Sequence, residues 1–406
     1  MPVLTSLSPN TEPDDISTAW RTLFSPWQWR DNNIVKQAEN RLSQYLNNQA
    51  VILTSSGRSA MYALFQALGF TAGDEIIIQA FTCVTVPASV SWVGAKAVFA
   101  DINPDTYNFD PTDVERKITP HTKAIIIQHT FGIPGPIDEL KKITAAHNIL
   151  LIEDCAHSLG ASHNNQPLGT FGDAAIFSFG RDKTLSCVFG GAVAVRNSTV
   201  MQKIRTQQNK LPLPPFWWNI QQLKHPIIMS FIKRFYFTYS VGKILLVTAQ
   251  KLRLLSKAVT PKEKTGGRPR LTNWQFSPAL APLLLNQLNQ LNRYTETRQR
   301  VASRYLRELK QKPVIKFTGE PSWLRFPVVV QNPTQILRQA KQNRILLGDW
   351  YNSPVAPRSS NRTPFYTQGA CPQAEKLAQK TINLPTYSSL SEDEVTGIIE
   401  FMNSNQ

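Results

Sequence analysis

Between residues 154 and 183 the chain carries a carboxylate, a hydroxyl and an amine, those of Asp154, Ser178 and Lys183. Asp154 closely follows the apolar run Ile149–Ile152, Ser178 directly follows Ala174–Phe177, and Lys183 lies on the stretch leading to Gly190-Gly191 and another apolar run. Short apolar runs of this kind read as buried strands of a parallel sheet, and open α/β sheets hold ligands at the strand ends. An amine held there can form an imine with a carbonyl compound. A carboxylate flush with an apolar run is costly to bury ionised unless a cation faces it. Pyridoxal phosphate (PLP) is a carbonyl cofactor that asks for this set: a lysine for its aldehyde, an acid for its ring nitrogen and a cradle for its phosphate.

Such a set needs a scaffold. Val51–Thr54, Glu75–Ile78, Ala97–Ala100, Lys123–Ile127, Ile149–Ile152, Ala174–Phe177 and Ala192–Val195 are short β-rich runs, most of them separated by stretches long enough for crossovers. The expected fold is α/β, a doubly wound, mostly parallel seven-stranded sheet. Ahead of it, Asn33–Asn47 has apolar residues near helical spacing. After the first strand, Thr54-Ser55-Ser56-Gly57-Arg58-Ser59 opens the amphipathic MYALFQALG. A small polar turn there aims free N–H groups and the positive end of the helix dipole at an anion, although the same residues also serve as a plain cap. His129 follows the fourth run and reads as structural support. Glu153 should point to the face opposite Asp154.

EDCAHSLGA, the S-F-x-x-x-K of Ser178 to Lys183 and the following Gly-Gly resemble the DegT/StrS family of fold-type I sugar aminotransferases. The resemblance continues through SSGRSAMYALFQALG, GDEIIIQAFTCVTVPASV, VFADINPDTYNFD, QHTFGIPGPID and PQAEKLAQKTINLPTYSSLSEDEV, nearly the whole chain. It implies that Lys183 holds PLP and then shuttles a proton between substrate and cofactor. It further implies that Asp154 faces the ring nitrogen, that His157 contacts the ring hydroxyl, and that Gly57, Arg58, Ser59 and Ser178 hold the phosphate. Arg58 stands where the family commonly has threonine, so the backbone contact is the part that carries over. Cys83, where an aromatic ring often lies on the cofactor, can touch a ring face but cannot stack; it reads equally as a buried cysteine at a helix start. KEKTGGRPRLTN, residues 262–273, resembles the family loop that reaches the neighbouring subunit's cofactor phosphate, with Arg268 in place of asparagine. Its other reading is a solvated basic loop.

Relatives that dehydrate sugars have histidine at the Lys183 position, so lysine points to transamination. The resemblance thus implies a fold-type I transferase with a smaller C-terminal α+β domain. The expected reaction moves an amino group from an amino acid, glutamate first, to a keto-sugar that is nucleotide-linked, in surface polysaccharide or secondary-metabolite biosynthesis. A homodimer with shared active sites is expected. The alternatives are a same-fold enzyme acting on a lipid-linked sugar or a non-sugar ketone, and a non-catalytic membrane-surface partner, which would not need the Lys183 amine.

With 406 residues, 42% hydrophobic and 18% charged, the chain has ordinary globular composition. Its four cysteines lack metal-ligand or disulfide spacing, and the opening MPVLTSLSPNTEPDD lacks a signal-peptide pattern, so no metal and a cytoplasmic location are expected. The net charge of +16 raises nucleic acid as a partner, but residues 201–270 hold fourteen Lys/Arg against Glu263 alone, and no nucleic-acid-binding motif accompanies them. That segment is apolar, aromatic and basic together. Its uncharged runs fall far short of the roughly 20 residues a membrane span needs. Two readings follow: helices lying at the inner membrane face, or helices packed on their own domain or a partner subunit. The expected organisation is an arm and helix (1–50), a PLP-binding domain (51–200), the basic helical insertion (201–270), a linking helix (271–313) and the small domain (314–406). In the last, Leu324–Val330 and Ile345–Trp350 read as strands, with helices over Gln335–Asn343 and after LSEDE.

Overall fold

The computed structural model describes residues 3–238, 241–357 and 365–405. Seven strands form the central sheet: β1 (Val51–Thr54), β2 (Glu75–Gln79), β3 (Lys96–Ala100), β4 (Thr122–Gln128), β5 (Leu150–Asp154), β6 (Ala174–Ser178) and β7 (Gly191–Val195). Their order is β1-β7-β6-β5-β4-β2-β3. Only β7 runs against its neighbours, antiparallel to both β6 and β1. All seven expected runs lie in this sheet.

The sheet is buried on both faces, which is why its strands read as continuous apolar runs. Side chains alternate between two cores. Ile52, Ile78, Ile126, Ile152, Ile176 and Val193 enter one, while Leu53, Ile77, Ile127, Leu151, Phe177 and Ala194 enter the other. Residues 153 and 154 therefore face opposite ways.

Three helices position the site. Gly57–Leu68 follows β1 directly, Ala281–Asn289 packs on the N-terminal helices Pro13–Leu23 and Asn32–Tyr45, and Leu291–Glu308 leads to the small domain. The single linking helix expected over 271–313 is thus two helices. At Gln290 (φ −99°, ψ 1°) the backbone leaves the helical well. In the small domain β8 (Phe326–Val329) pairs antiparallel with β9 (Thr381–Leu384). The strand expected over Ile345–Trp350 shrinks to Ile345–Leu346, which pairs with Val3–Leu4 of the arm. Beyond it the Asn383 side chain replaces the ladder, accepting from the Trp350 N–H at 2.9 Å and donating to the Trp350 carbonyl at 2.7 Å.

Within 201–270, helix Phe216–Arg234 sends Leu223 and Ile227 into the main core. Its far end, Met229 and Ile232, makes a small separate core with Ala249 and Leu255. The inner side of the insertion is therefore packed on its own chain.

Candidate active site

The carboxyl ends of β5 and β6, the turn after β6, the N-terminus of helix Gly57–Leu68 and the segments 349–352 and 258–264 enclose a cavity of about 440 Å³. Seven of the nine residues singled out in the sequence line it: Gly57, Arg58, Cys83, Asp154, His157, Ser178 and Lys183. Ser59 and Arg268 do not.

Asp154 closes β5. One of its oxygens accepts the Ala156 N–H at 3.0 Å. Burial pushes its carboxyl above the usual range, against the pull of that N–H and of Lys183 and His129. Lys183 is moved the other way: burial lowers its amine, Cys83, Asp154 and Asp182 draw it back, and Arg325 lowers it further. Its Nζ lies 5.3 Å from the centre of the Trp350 ring. Each group of this pair is therefore held nearer to its neutral form than it would be in water. His157 stacks on Trp350 at 5.5 Å and accepts the Phe131 N–H at Nδ1, 3.3 Å, which leaves Nε2–H to meet the Tyr351 hydroxyl at 3.3 Å. Both ring nitrogens thus have protein partners. Burial, with the charges of Lys183 and Arg325, keeps His157 neutral by pushing its pKa well below the usual histidine value.

The cradle is built from small residues. Ser56 caps the helix, its Oγ accepting the Ser59 N–H at 3.2 Å. The Ser59 hydroxyl is 2.8 Å from both Ser55 Oγ and Ser56 Oγ, so it is spent inside this serine cluster, away from the cavity. Gly57 lies under Ser178: a Cβ on it would come 2.9 Å from Ser178 Cβ. Gly191, the second glycine of the pair, has no room for a side chain against the Ser56–Gly57 backbone. Arg58 does not offer its guanidinium to the cavity. It is paired with buried Glu263 and donates to the Ala258 carbonyl at 2.7 Å, pinning the 258–264 segment over the site. Burial holds it down to about 10. Arg268 is exposed, with its guanidinium 4.8 Å from the Tyr62 ring and bonded to the Tyr62 hydroxyl on the outside of the cradle helix.

Behind the site, Glu153 faces away from Asp154, as the alternation requires. It accepts the N–H groups of Gly169, Phe171 and Gly172 at 2.7–2.8 Å and meets His129 Nε2 at 3.3 Å. His129 Nδ1 accepts the Gly135 N–H at 3.0 Å. This is scaffolding: the pair fixes the turns after β4 and before β6.

Two features consist of residues to which the sequence reading assigned no role, although Tyr351 lies where the family resemblance has substrate-side residues. Trp350 and Tyr351 form one wall. Arg325, 2% exposed, stacks on Trp350 at 3.5 Å, and its two terminal nitrogens have no partner among the described residues. A charged residue inside the apolar run LRFPVVV was the available signal.

The sequence profile of the DegT/DnrJ/EryC1/StrS aminotransferase family matches residues 10–212 and 244–403. The chain belongs to this family. It is 24% identical over 388 residues to a GDP-perosamine synthase of Escherichia coli O157:H7, covering 94% of this chain and 92% of that protein. Helicobacter pylori PseC, an aminotransferase involved in the biosynthesis of pseudoaminic acid, superposes with a TM-score of 0.75 at 20% identity, over 97% of this chain and 96% of that one. NtdA from Bacillus subtilis, with bound cofactor PMP, gives 0.74 at 21% identity, over 98% and 83%. The enzyme is accordingly an aminotransferase and its cofactor PLP. The cavity fits that cofactor: it brings together an amine, a carboxylate with one oxygen free of N–H partners, and a hydroxyl over a helix N-terminus.

Proposed function

We propose that this aminotransferase takes its amino group from glutamate and delivers it to a nucleotide-linked keto-sugar, in polysaccharide or secondary-metabolite biosynthesis. The names of the relatives support the sugar. The observation that carries the reading is the Lys183 amine, its pKa lowered by burial, in the same cavity as Asp154.

In this reading each residue has a defined task. Lys183 would hold the cofactor through its amine and, once freed by the donor, would move the proton at the substrate carbon, a role that requires a neutral amine and is helped by the lowering of its pKa by burial. PLP, when bound, supplies the electron sink for the pair left as that proton departs. Asp154 would hold the ring nitrogen in its protonated form, a partner that would offset the cost of ionising a carboxylate that burial alone disfavours. Ser178 and the N–H groups at Gly57 and Arg58 hold the phosphate at the positive end of the helix dipole. His157 stays neutral and supports the wall formed with Trp350 and Tyr351. Arg325, stacked on Trp350 at the cavity wall, is the cation suited to a donor carboxylate, since its two terminal nitrogens have no partner among the described residues. In this reading the enzyme is a homodimer with shared sites, and the exposed loop around Arg268 would meet the partner subunit.

The test is the visible spectrum of the protein purified with PLP, wild type against Lys183→Ala, before and after glutamate. The wild type should show a visible band that glutamate bleaches and a keto-sugar restores, and the variant should lack it. A wild type that takes up no PLP would overturn the reading.

A further inference from the structure

We propose that the outer face of residues 213–238 and 241–254 docks the enzyme on an anionic lipid surface. This goes beyond the transamination reading and does not depend on which sugar is aminated. The family match omits residues 213–243, so helix Phe216–Arg234 lies outside the matched profile, while residues 244–254 of the face lie inside it. Helix Phe216–Arg234 buries most of its circumference and leaves one narrow stripe. Trp217, Lys224 and Phe231 recur along it every seven residues, with Trp217 76% and Phe231 62% exposed. Helix Val241–Lys251 continues the pattern with exposed Lys243, Ile244 and Lys251. Nearby, Phe216 touches Trp29 at 4.9 Å, which joins the surface to the N-terminal turn where Trp27 is 74% exposed.

The charge decides the occupant. Glu263 is the only acid in 201–270, and it is buried against Arg58, so the exposed part of the segment is purely cationic. In a two-fold contact between copies this patch would meet itself, like charge on like. An anionic bilayer answers both halves of the surface: head groups for the Lys and Arg, and the head-group boundary for Trp and Phe. No helix among the described residues is long and apolar enough to cross a membrane, so the contact is peripheral. Docking would reach the active site through residues this segment lends it. Ala258 and Val259 line the cavity, and Gln222 and Ser256 bind Arg181, two residues from Lys183.

The experiment is co-sedimentation of the full-length, PLP-loaded enzyme with phosphatidylcholine vesicles, with and without phosphatidylglycerol, at low and high salt. Binding should require phosphatidylglycerol and weaken as salt rises. Trp217→Ser with Phe231→Ser should reduce it at least about tenfold, and neutralising Lys243 or Lys251 about fivefold per charge. Glutamate should still bleach these variants without vesicles, which separates failure of docking from failure of the transamination reading. No binding to anionic vesicles at low salt, or equal binding to neutral ones, overturns the proposal. So does ultracentrifugation in which the double variant dissolves a larger wild-type assembly, since the face would then cover a second copy.

Discussion

Replacing Asp154 with Asn should impair the enzyme while relieving the empty protein. Asparagine keeps an oxygen for the Ala156 N–H, so the local fold is retained and only the charge is lost. A hydrogen bond to a charged group contributes about 1.5–3 kcal/mol, and stranding a buried charge by removing its partner costs about 3–5 kcal/mol. At about 1.4 kcal/mol per factor of ten, the glutamate half-reaction should slow by between roughly tenfold and several thousandfold. Single-turnover bleaching on protein of checked PLP content measures this. The apo protein should respond with the opposite sign. Burial raises the Asp154 carboxyl above its unfolded value, so its favourable contribution to folding is present in acid and is lost as pH rises through the folded value. Asparagine cannot ionise. The apo variant should therefore be at least as stable as wild type near neutrality, with the difference shrinking in acid, by thermal unfolding at several pH values. A half-reaction within a few-fold of wild type, or an apo variant less stable at every pH, would refute the placement of Asp154 opposite a cationic nitrogen.

Gly57→Ala puts a methyl 2.9 Å from Ser178 Cβ and 3.2 Å from the Phe177 carbonyl. Overpacking of this kind costs about 1–3 kcal/mol, and equilibrium dialysis should show weaker PLP retention because the Ser178 hydroxyl is displaced. Uptake of PLP by the apo enzyme should rise with pH through a midpoint below the ordinary lysine value of 10.5, since burial lowers Lys183. Arg325→Met removes a cation that lowers Lys183, so that midpoint should move upward and KM for glutamate should rise; stopped-flow uptake across pH and steady-state kinetics read the two effects.

The sheet was legible because strands buried on both faces announce themselves as β-branched runs, and the same alternation separates Glu153 from Asp154 without any structure. Lys183, Asp154 and Ser178 were legible because consecutive strand ends fall together in a doubly wound sheet. What escaped depends on which partner wins a side chain, whether that partner lies beside it in the chain or far away. Ser59 looked like a phosphate ligand, yet neighbouring serines compete for its hydroxyl, a choice that spacing alone does not settle. The Arg58 side chain, for which the resemblance implied only a backbone contact, found its partner in Glu263, 205 positions later.

The turn that carries Lys183 shows the same dependence most plainly. The carbonyls of Lys183 and Thr184 accept from the Asn10 side chain, and the Ser8 N–H bonds to Asp182 at 3.0 Å. Buried Arg298 in turn holds Asn10 at 2.7 Å and the Thr184 carbonyl at 3.2 Å. An arm that reads as featureless and a helix that reads as a linker thus fix the backbone beneath the reactive amine. The motif names the lysine, while its aim is set by residues with no motif of their own: each makes only one or two hydrogen bonds to the turn, and such bonds carry no periodicity to read.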